Sequence, residues 1–267
     1  MDIVAITDLA TSLDVEAPLL ARELGTTAYD ARQKLAVGLP CVVLMTTDRS
    51  RTLALLASLR GRGHGAVACE SKAVVASGSM LAVRRFHIDE DALVLEGRGA
   101  GGEAAAAPAP DVRVPYAEMI ALVLASHRHS FESHDEKKET KFRPVAALAS
   151  GGVILTKTVK RDVVRTNEDR EQVIYIFRRR QPACLLREAV AQYGGLGEAV
   201  RPTRIENFQT TLRLLRANAT AVPFDDRLVG VKRFPEPPND PGAPRAFDAE
   251  TGGVDLLAHL VAMRLAR

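Results

Sequence analysis

Tryptophan is absent, and four tyrosines and eight phenylalanines are the only aromatic side chains among 267 residues. Readers of single-stranded nucleic acid stack bases on aromatic platforms, so this scarcity counts against RNA or DNA reading. Cysteine is also scarce: Cys41, Cys69 and Cys184 are far apart and odd in number. Such a set fits neither a disulfide framework nor a CxxC zinc site. Cys41 and Cys69 lie in short apolar runs, and buried free thiols in a reducing compartment are expected. No apolar run approaches the ~18 residues of a membrane span. The N-terminal stretch MDIVAITD has neither the basic nor the long apolar region of a signal peptide, so a cytoplasmic protein is expected. A strong charge of one sign is missing too. The net charge of +3 is too small to imply nucleic-acid binding by itself.

What is present is an ordinary globular composition, 46% hydrophobic and 26% charged. The length suits one large or two small domains. Three polar or small-residue segments punctuate it. Residues 97–111 (GRGAGGEAAAAPAPD) and 235–246 (PEPPNDPGAPRA) read as a loop and a proline-rich linker. The charge-dense stretch 127–141 reads as an exposed loop.

Residues 1–77 alternate short apolar runs with periodic segments. The periodicity predicts helices over 13–24, 28–37 and 49–60, with strands over 3–6, 41–45 and 66–69. Gly25 is placed to end the first helix. Thr26 or Thr27, and Thr47 or Asp48, are placed to cap the next two. Val15, Leu19, Leu20 and Leu24 form the predicted inward stripe of the first helix, and Leu53, Leu56 and Leu59 that of the third. These elements make a small α/β sandwich.

Residues 80–231 read as a larger, strand-rich module. Strands are predicted over 80–88, 93–96, 112–114, 145–149, 153–158 and 173–177, with Asp89-Glu90-Asp91 and Ser150-Gly151-Gly152 as turns. Val173 to Phe177, apolar at every position, reads as a central buried strand. Pro115 and Pro182 are each placed to start a helix, running to Ala125 and Tyr193. A further helix is predicted over 203–217, with Ile205, Phe208, Leu212 and Leu215 inward. Residues 232–267 hold the linker and a last helix, 255–265, expected to dock back on the body. The predicted class is α+β: a small N-terminal α/β sandwich followed by a strand-rich module with helical cover.

The stretch from Ala28 through Gly38-Leu39-Pro40, then a strand, then a helix closing on Leu59-Arg60-Gly61-Arg62-Gly63, resembles the C-terminal domain of ribosomal protein L7/L12. In that family a short helix meets a Gly-x-Pro stop, followed by a strand, a helix ending in Leu-x-x-x-Gly, and a last strand. The resemblance implies this fold for residues 1–77 and hints at a protein-docking module. The lysine-rich helix face of the ribosomal domain is missing here. Residues 80–231 are loosely similar in element order to bacterial pleckstrin-homology-like modules.

Several constellations invite chemistry. His127, His129 and His134 with Asp135 and Glu136 are metal-ligand types, but their spacing fits no zinc pattern and a solvated loop is the plainer account. Gly151 to Lys157 lacks phosphate-loop spacing and precedes a strand, not a helix. Cys184, read at a helix start where the dipole lowers a thiol pKa, would need His259 or His87 as base; a buried structural cysteine is the simpler reading. Asp225-Asp226-Arg227 reads as a turn with a local ion pair. The window 157–180 carries eight cationic and four acidic residues. Its candidate site for an anionic partner is Lys157, Lys160, Arg161, Arg178, Arg179 and Arg180, the last three at the exit of the buried strand.

These readings predict no catalytic residue, metal or cofactor. They predict a non-enzymatic intracellular binding or regulatory protein, an adaptor that docks another protein. The alternative is a phosphate- or nucleic-acid-binding protein using the 157–180 window, with nucleic acid the less favoured ligand.

Overall fold

The computed structural model describes residues 1–96, 111–142, 156–231, 235 and 251–267, with backbone alone over 128–142 and 156–169. The expected segments 97–110, 145–149, 150–155 and 236–246 lie outside the described residues. The chain opens with β1 (Asp2–Asp8), α1 (Leu13–Leu24), α2 (Ala28–Ala36), β2 (Cys41–Thr46), α3 (Arg49–Gly61) and β3 (Gly65–Glu70). β1 lies between β2 and β3 and is antiparallel to both. Both of its faces are covered, which is why its sequence is an unbroken apolar run. Val4 and Ile6 pack with Leu20, Leu35 and Leu59 of the three helices. Ile3 and Ala5 face a second core.

The local signals explain these boundaries. Gly25 ends α1 in the left-handed region, φ 70, where a side chain is costly. Thr27 caps α2 by accepting the Asp30 N–H, and Asp48 caps α3 by accepting from Ser50 and Arg51. Two predicted stripes are rotated. Thr52, Leu55 and Leu59 are the buried face of α3, and Leu53 is exposed. In α1 the buried set is Glu16, Ala17, Leu20 and Ala21, and Val15 is exposed. The cause is that Glu16 and Thr52 belong to the buried stripes with their polar groups hydrogen-bonded, Glu16 to Arg62 and His64 and Thr52 to the Asp48 carbonyl, so apolarity alone does not mark the inward faces.

The second part comprises β4 (Leu81–Val83), β5 (Phe86–Ile88), β6 (Ala92–Leu95), β7 (Val112–Pro115), β8 (Met119–Phe142), β9 (Thr156–Arg178), β10 (Cys184–Arg187), α4 (Arg204–Asn218), β11 (Phe224–Leu228) and α5 (Gly252–Leu265). A five-stranded sheet runs in the order β11-β8-β9-β10-β4, and β5-β6-β7 form an antiparallel meander. The fold is α+β, as its element order predicts.

Four sequence expectations are corrected here. Pro115 opens no helix: a single turn over Tyr116–Glu118 leads into β8. Ala121, Val123 and Ala125 face one core, Leu122 and Leu124 the other, and an apolar run buried on both sides has no periodicity to separate strand from helix. Pro182 likewise precedes a strand, β10, paired with β9 and β4. The stretch 127–141 is strand, not loop. Finally, 80–88 is two strands in two sheets, parted at Arg84 and Arg85.

Two compact units divide the chain: Met1–His127 with Glu171–Arg267, and Arg128–Arg170. The second contains the remaining residues of β8 and β9. Within the first, α5 packs against elements on both sides of residue 77: Val254, Leu256, Leu257, Leu260 and Val261 are buried in one core with Ile3 and Val67 of the first sheet and Val123, Tyr175 and Leu185 of the second. A helix apolar all round is an interior helix. Each such side chain contributes about 1.5–3 kcal/mol on burial. Beyond the larger sheet, α4 and the meander cover its other face through Phe208, Leu212, Phe86 and Leu93. Ile205, predicted inward, is exposed. Among the described residues no helix is long and apolar enough to cross a membrane.

Candidate functional site

The two edges of the sheet β2-β1-β3 differ. Along β3 the Ala66 carbonyl accepts from Arg60 Nε at 3.1 Å and from Arg267 Nη1 at 3.3 Å. Along β2 lies a groove of about 480 Å³. Val42, Leu44 and Met45 of β2, Leu24 at the end of α1, Lys34 of α2 and Arg51 of α3 line it. Each cation is positioned by a helix cap. The Thr27 cap starts α2 about two turns before Lys34, and the Asp48 side chain accepts the N–H of Arg51 itself. Arg51 Nη2 donates to the Leu24 carbonyl at 3.0 Å, so its charge sits at the negative end of α1. Among the described residues neither Lys34 nor Arg51 forms a salt bridge, although the Lys34 charge contributes to lowering Asp30, whereas Arg62, Arg187, Arg227 and Arg264 all do. The groove is concave and partly apolar, and Lys34 and Arg51 place two positive charges along it.

The basic strand exit is divided. Arg178 is 9% exposed and its Nε donates to the Pro182 carbonyl at 2.7 Å, so it holds the β9–β10 turn. Arg179 and Arg180 are exposed, and Arg180 adopts φ 54. The backbone N–H of Arg179 donates to the Glu118 carbonyl at 2.8 Å. The side chains of Lys157, Lys160 and Arg161 lie outside the described residues, as do those of His129 and His134.

His127 is buried. It belongs to no solvated loop but to a chain of bonds through the central core. Tyr175 Oη donates to Asp255 Oδ1 at 2.6 Å, and His127 Nε2 stands 2.6 Å from Tyr175 Oη. Since the phenol has one proton, His127 is the donor to it. Burial first, then the neighbouring Asp255 charge, pushes the Tyr175 phenol well up. Asp255 Oδ2 accepts the Ser77 N–H at 2.7 Å, which ties α5 to the segment after β3.

A second buried cluster was invisible in the sequence. Glu16 of α1 accepts from Arg62 at 2.7 Å and lies 2.6 Å from His64 Nε2. His64 Nδ1 accepts the Ala10 N–H at 3.0 Å, so Nε2 carries the proton and donates to Glu16. Arg62 also binds Glu23. Burial raises the Glu23 carboxyl, but hydrogen bonds from Arg62 and Ser58 and the Arg62 charge outweigh it and hold the group below its usual range. The only available hint was a glutamate at an inward helical position.

The thiols are structural. Burial pushes Cys41 and Cys69 up to about 11 and also raises Cys184. Cys184 starts a strand, not a helix, and packs on the face of the larger sheet opposite to Phe177. His259 lies edge-on to Phe177, so the sheet separates it from Cys184 and no dyad forms. Asp225 and Arg227 do pair, at 2.7 Å, in strand β11 rather than a turn; Arg227 Nη1 also donates to the Thr7 carbonyl. Among the described residues no cluster of His, Cys, Asp and Glu is arranged to hold a metal. No protein-family model matches this chain, and neither a curated protein nor a solved structure matches it.

Proposed function

We propose that this chain is a non-enzymatic intracellular binding protein that docks other proteins through residues 1–70. The observation that carries this reading is where its apolar surface lies. Of seven exposed large apolar side chains among the described residues, Val15, Tyr29, Val37 and Leu53 belong to the region of α1, α2 and α3. Exposed apolar side chains concentrated on one region mark an interaction surface more than singly scattered ones do. The order α2, β2, α3, β3 supports the resemblance to the L7/L12 C-terminal domain, from which the docking reading draws. The looser likeness to pleckstrin-homology-like modules adds no partner to it.

The test is affinity capture on the full chain, with co-purifying proteins identified by mass spectrometry. The comparison is a Tyr29→Ser, Leu53→Ser variant of unchanged melting temperature. Loss of a specific protein from the variant is the expected result. A captured set identical for both chains overturns the reading.

A second reading has its own observation. Arg179 and Arg180 are exposed and without a carboxylate partner among the described residues. They suit a phosphate-bearing partner. Replacing both with glutamine leaves stability unchanged and removes salt-sensitive binding of an anionic partner if this reading holds.

A further inference from the structure

The groove beside β2 defines the chemistry of its occupant. We infer that it takes a short extended segment of a partner protein that adds as a strand to β2, with carboxylates alternating with apolar side chains. This rests on the docking reading and names its partner.

β2 is the edge strand of its sheet, with β1 as its only neighbouring strand among the described residues. Edge strands are templates for strand addition, and proteins block them where pairing is unwanted. β3 at the opposite edge is blocked by Arg60 and Arg267 on its Ala66 carbonyl. Among the described residues no arginine caps a carbonyl of β2 in this way, and the strand departs from regular pairing only at Val43, where it bulges against β1. Pro235 also lines the groove, and a proline has no N–H to donate to a ladder. The six residues of Cys41–Thr46 accommodate a partner of similar length, roughly 20 Å at ~3.3 Å per residue.

The two faces of the sheet impose the alternation. α2 and α3 cover one face through Leu35, Leu55 and Leu59, so Lys34 and Arg51 belong to that side. Val42 and Met45 pack toward the α5 core on the other. Successive side chains of an added strand point to opposite faces. Those facing the helix layer meet both cations, set among Leu24, Val43 and Leu44, and those facing the core side meet Val42 and Met45 with no cation from this groove. A second copy of this chain is disfavoured as occupant, because pairing two β2 edges brings Lys34 and Arg51 of both copies together.

The experiment uses the full chain and two fluorescein-labelled eight-residue probes, one alternating glutamate with valine and one alternating lysine with valine. Anisotropy measures affinity and amide hydrogen exchange locates the site. The expected result is binding of the acidic probe about tenfold tighter than the basic one, the scale of two surface charge pairs. Exchange slows at Val42–Met45, and Lys34→Glu with Arg51→Glu reverses the preference. Protection on α1–α3 without β2 overturns strand addition and leaves the docking reading standing. Protection only at Arg179 and Arg180 overturns both. Equal affinity for the two probes, absence of binding, or dimerisation of the chain through β2 overturns the inference.

Discussion

Two edges of one sheet, each six residues long and paired with the same central strand, end differently. On the β3 side Arg60 and Arg267 donate to a carbonyl of the edge strand itself, and Arg62 pairs with Glu16 and Glu23. On the β2 side Arg51 donates to the last carbonyl of α1 rather than to the strand, and among the described residues neither it nor Lys34 forms a salt bridge. The contrast teaches that similar cations serve two ends here: on one side they cap the edge strand, on the other they line a groove beside it.

The largest expected effect lies on the closed side. Glu16→Ala removes the acceptor of His64 and one carboxylate of Arg62, in a site where Glu16 is fully buried. Breaking a buried pair costs about 3–5 kcal/mol, and Arg62 keeps Glu23, so a loss near ~3 kcal/mol is expected in urea denaturation. A loss under ~1 kcal/mol shows that the β3 side is not held by this cluster.

Next comes the layer beneath both edges. His259 on α5 has its Nδ1 buried with no hydrogen-bond partner among the described residues, and burial pushes its pKa down to about 4. The folded value lies below the unfolded one. Stability is therefore full above about pH 6.5 and declines as pH falls toward 4. Between pH 7 and pH 5 the loss is about 2 kcal/mol. His259→Leu flattens that part of the urea-derived stability profile; an unchanged slope places the acid sensitivity elsewhere.

The double change Arg60→Ala, Arg267→Ala frees the β3 edge. Hydrogen bonds of this kind contribute about 1 kcal/mol each. A modest drop in melting temperature is expected, together with concentration-dependent association by sedimentation as the edge becomes available. A monomer at all concentrations means that these arginines do not guard it. The smallest effect is Lys34→Gln with Arg51→Gln, within about 0.5 kcal/mol of wild type by denaturation. A larger loss makes them structural and erases the contrast with β3.

The first sheet and its helices were legible because each carries its own stop signals: Gly25, the Thr27 and Asp48 caps, and the Gly38-Leu39-Pro40 break. β8 and β10 were not, because strands buried on both faces offer no alternation and each follows a proline that equally suits a helix start. The groove was illegible for another reason. Lys34 and Arg51 are ordinary surface cations in sequence, and only the packing of α2 and α3 on one face brings them to the same edge. Arg178 was the one site residue whose burial could be read, since it continues the strand Val173–Phe177.

The position of α5 has a consequence for how the chain comes to be folded. It follows every other described element in chain order, yet it is the floor of one sheet and the ceiling of another. Ser77 meets Asp255, Thr7 meets Arg227 and Asp8 meets Arg264, at sequence separations of 178, 220 and 256 residues. Contacts so distant are slow to form, because a long loop must close before any of them contributes. On the ribosome both sheets emerge with one apolar face uncovered and stay so until Gly252–Leu265 clears the exit tunnel. Through that interval the nascent chain needs protection from aggregation.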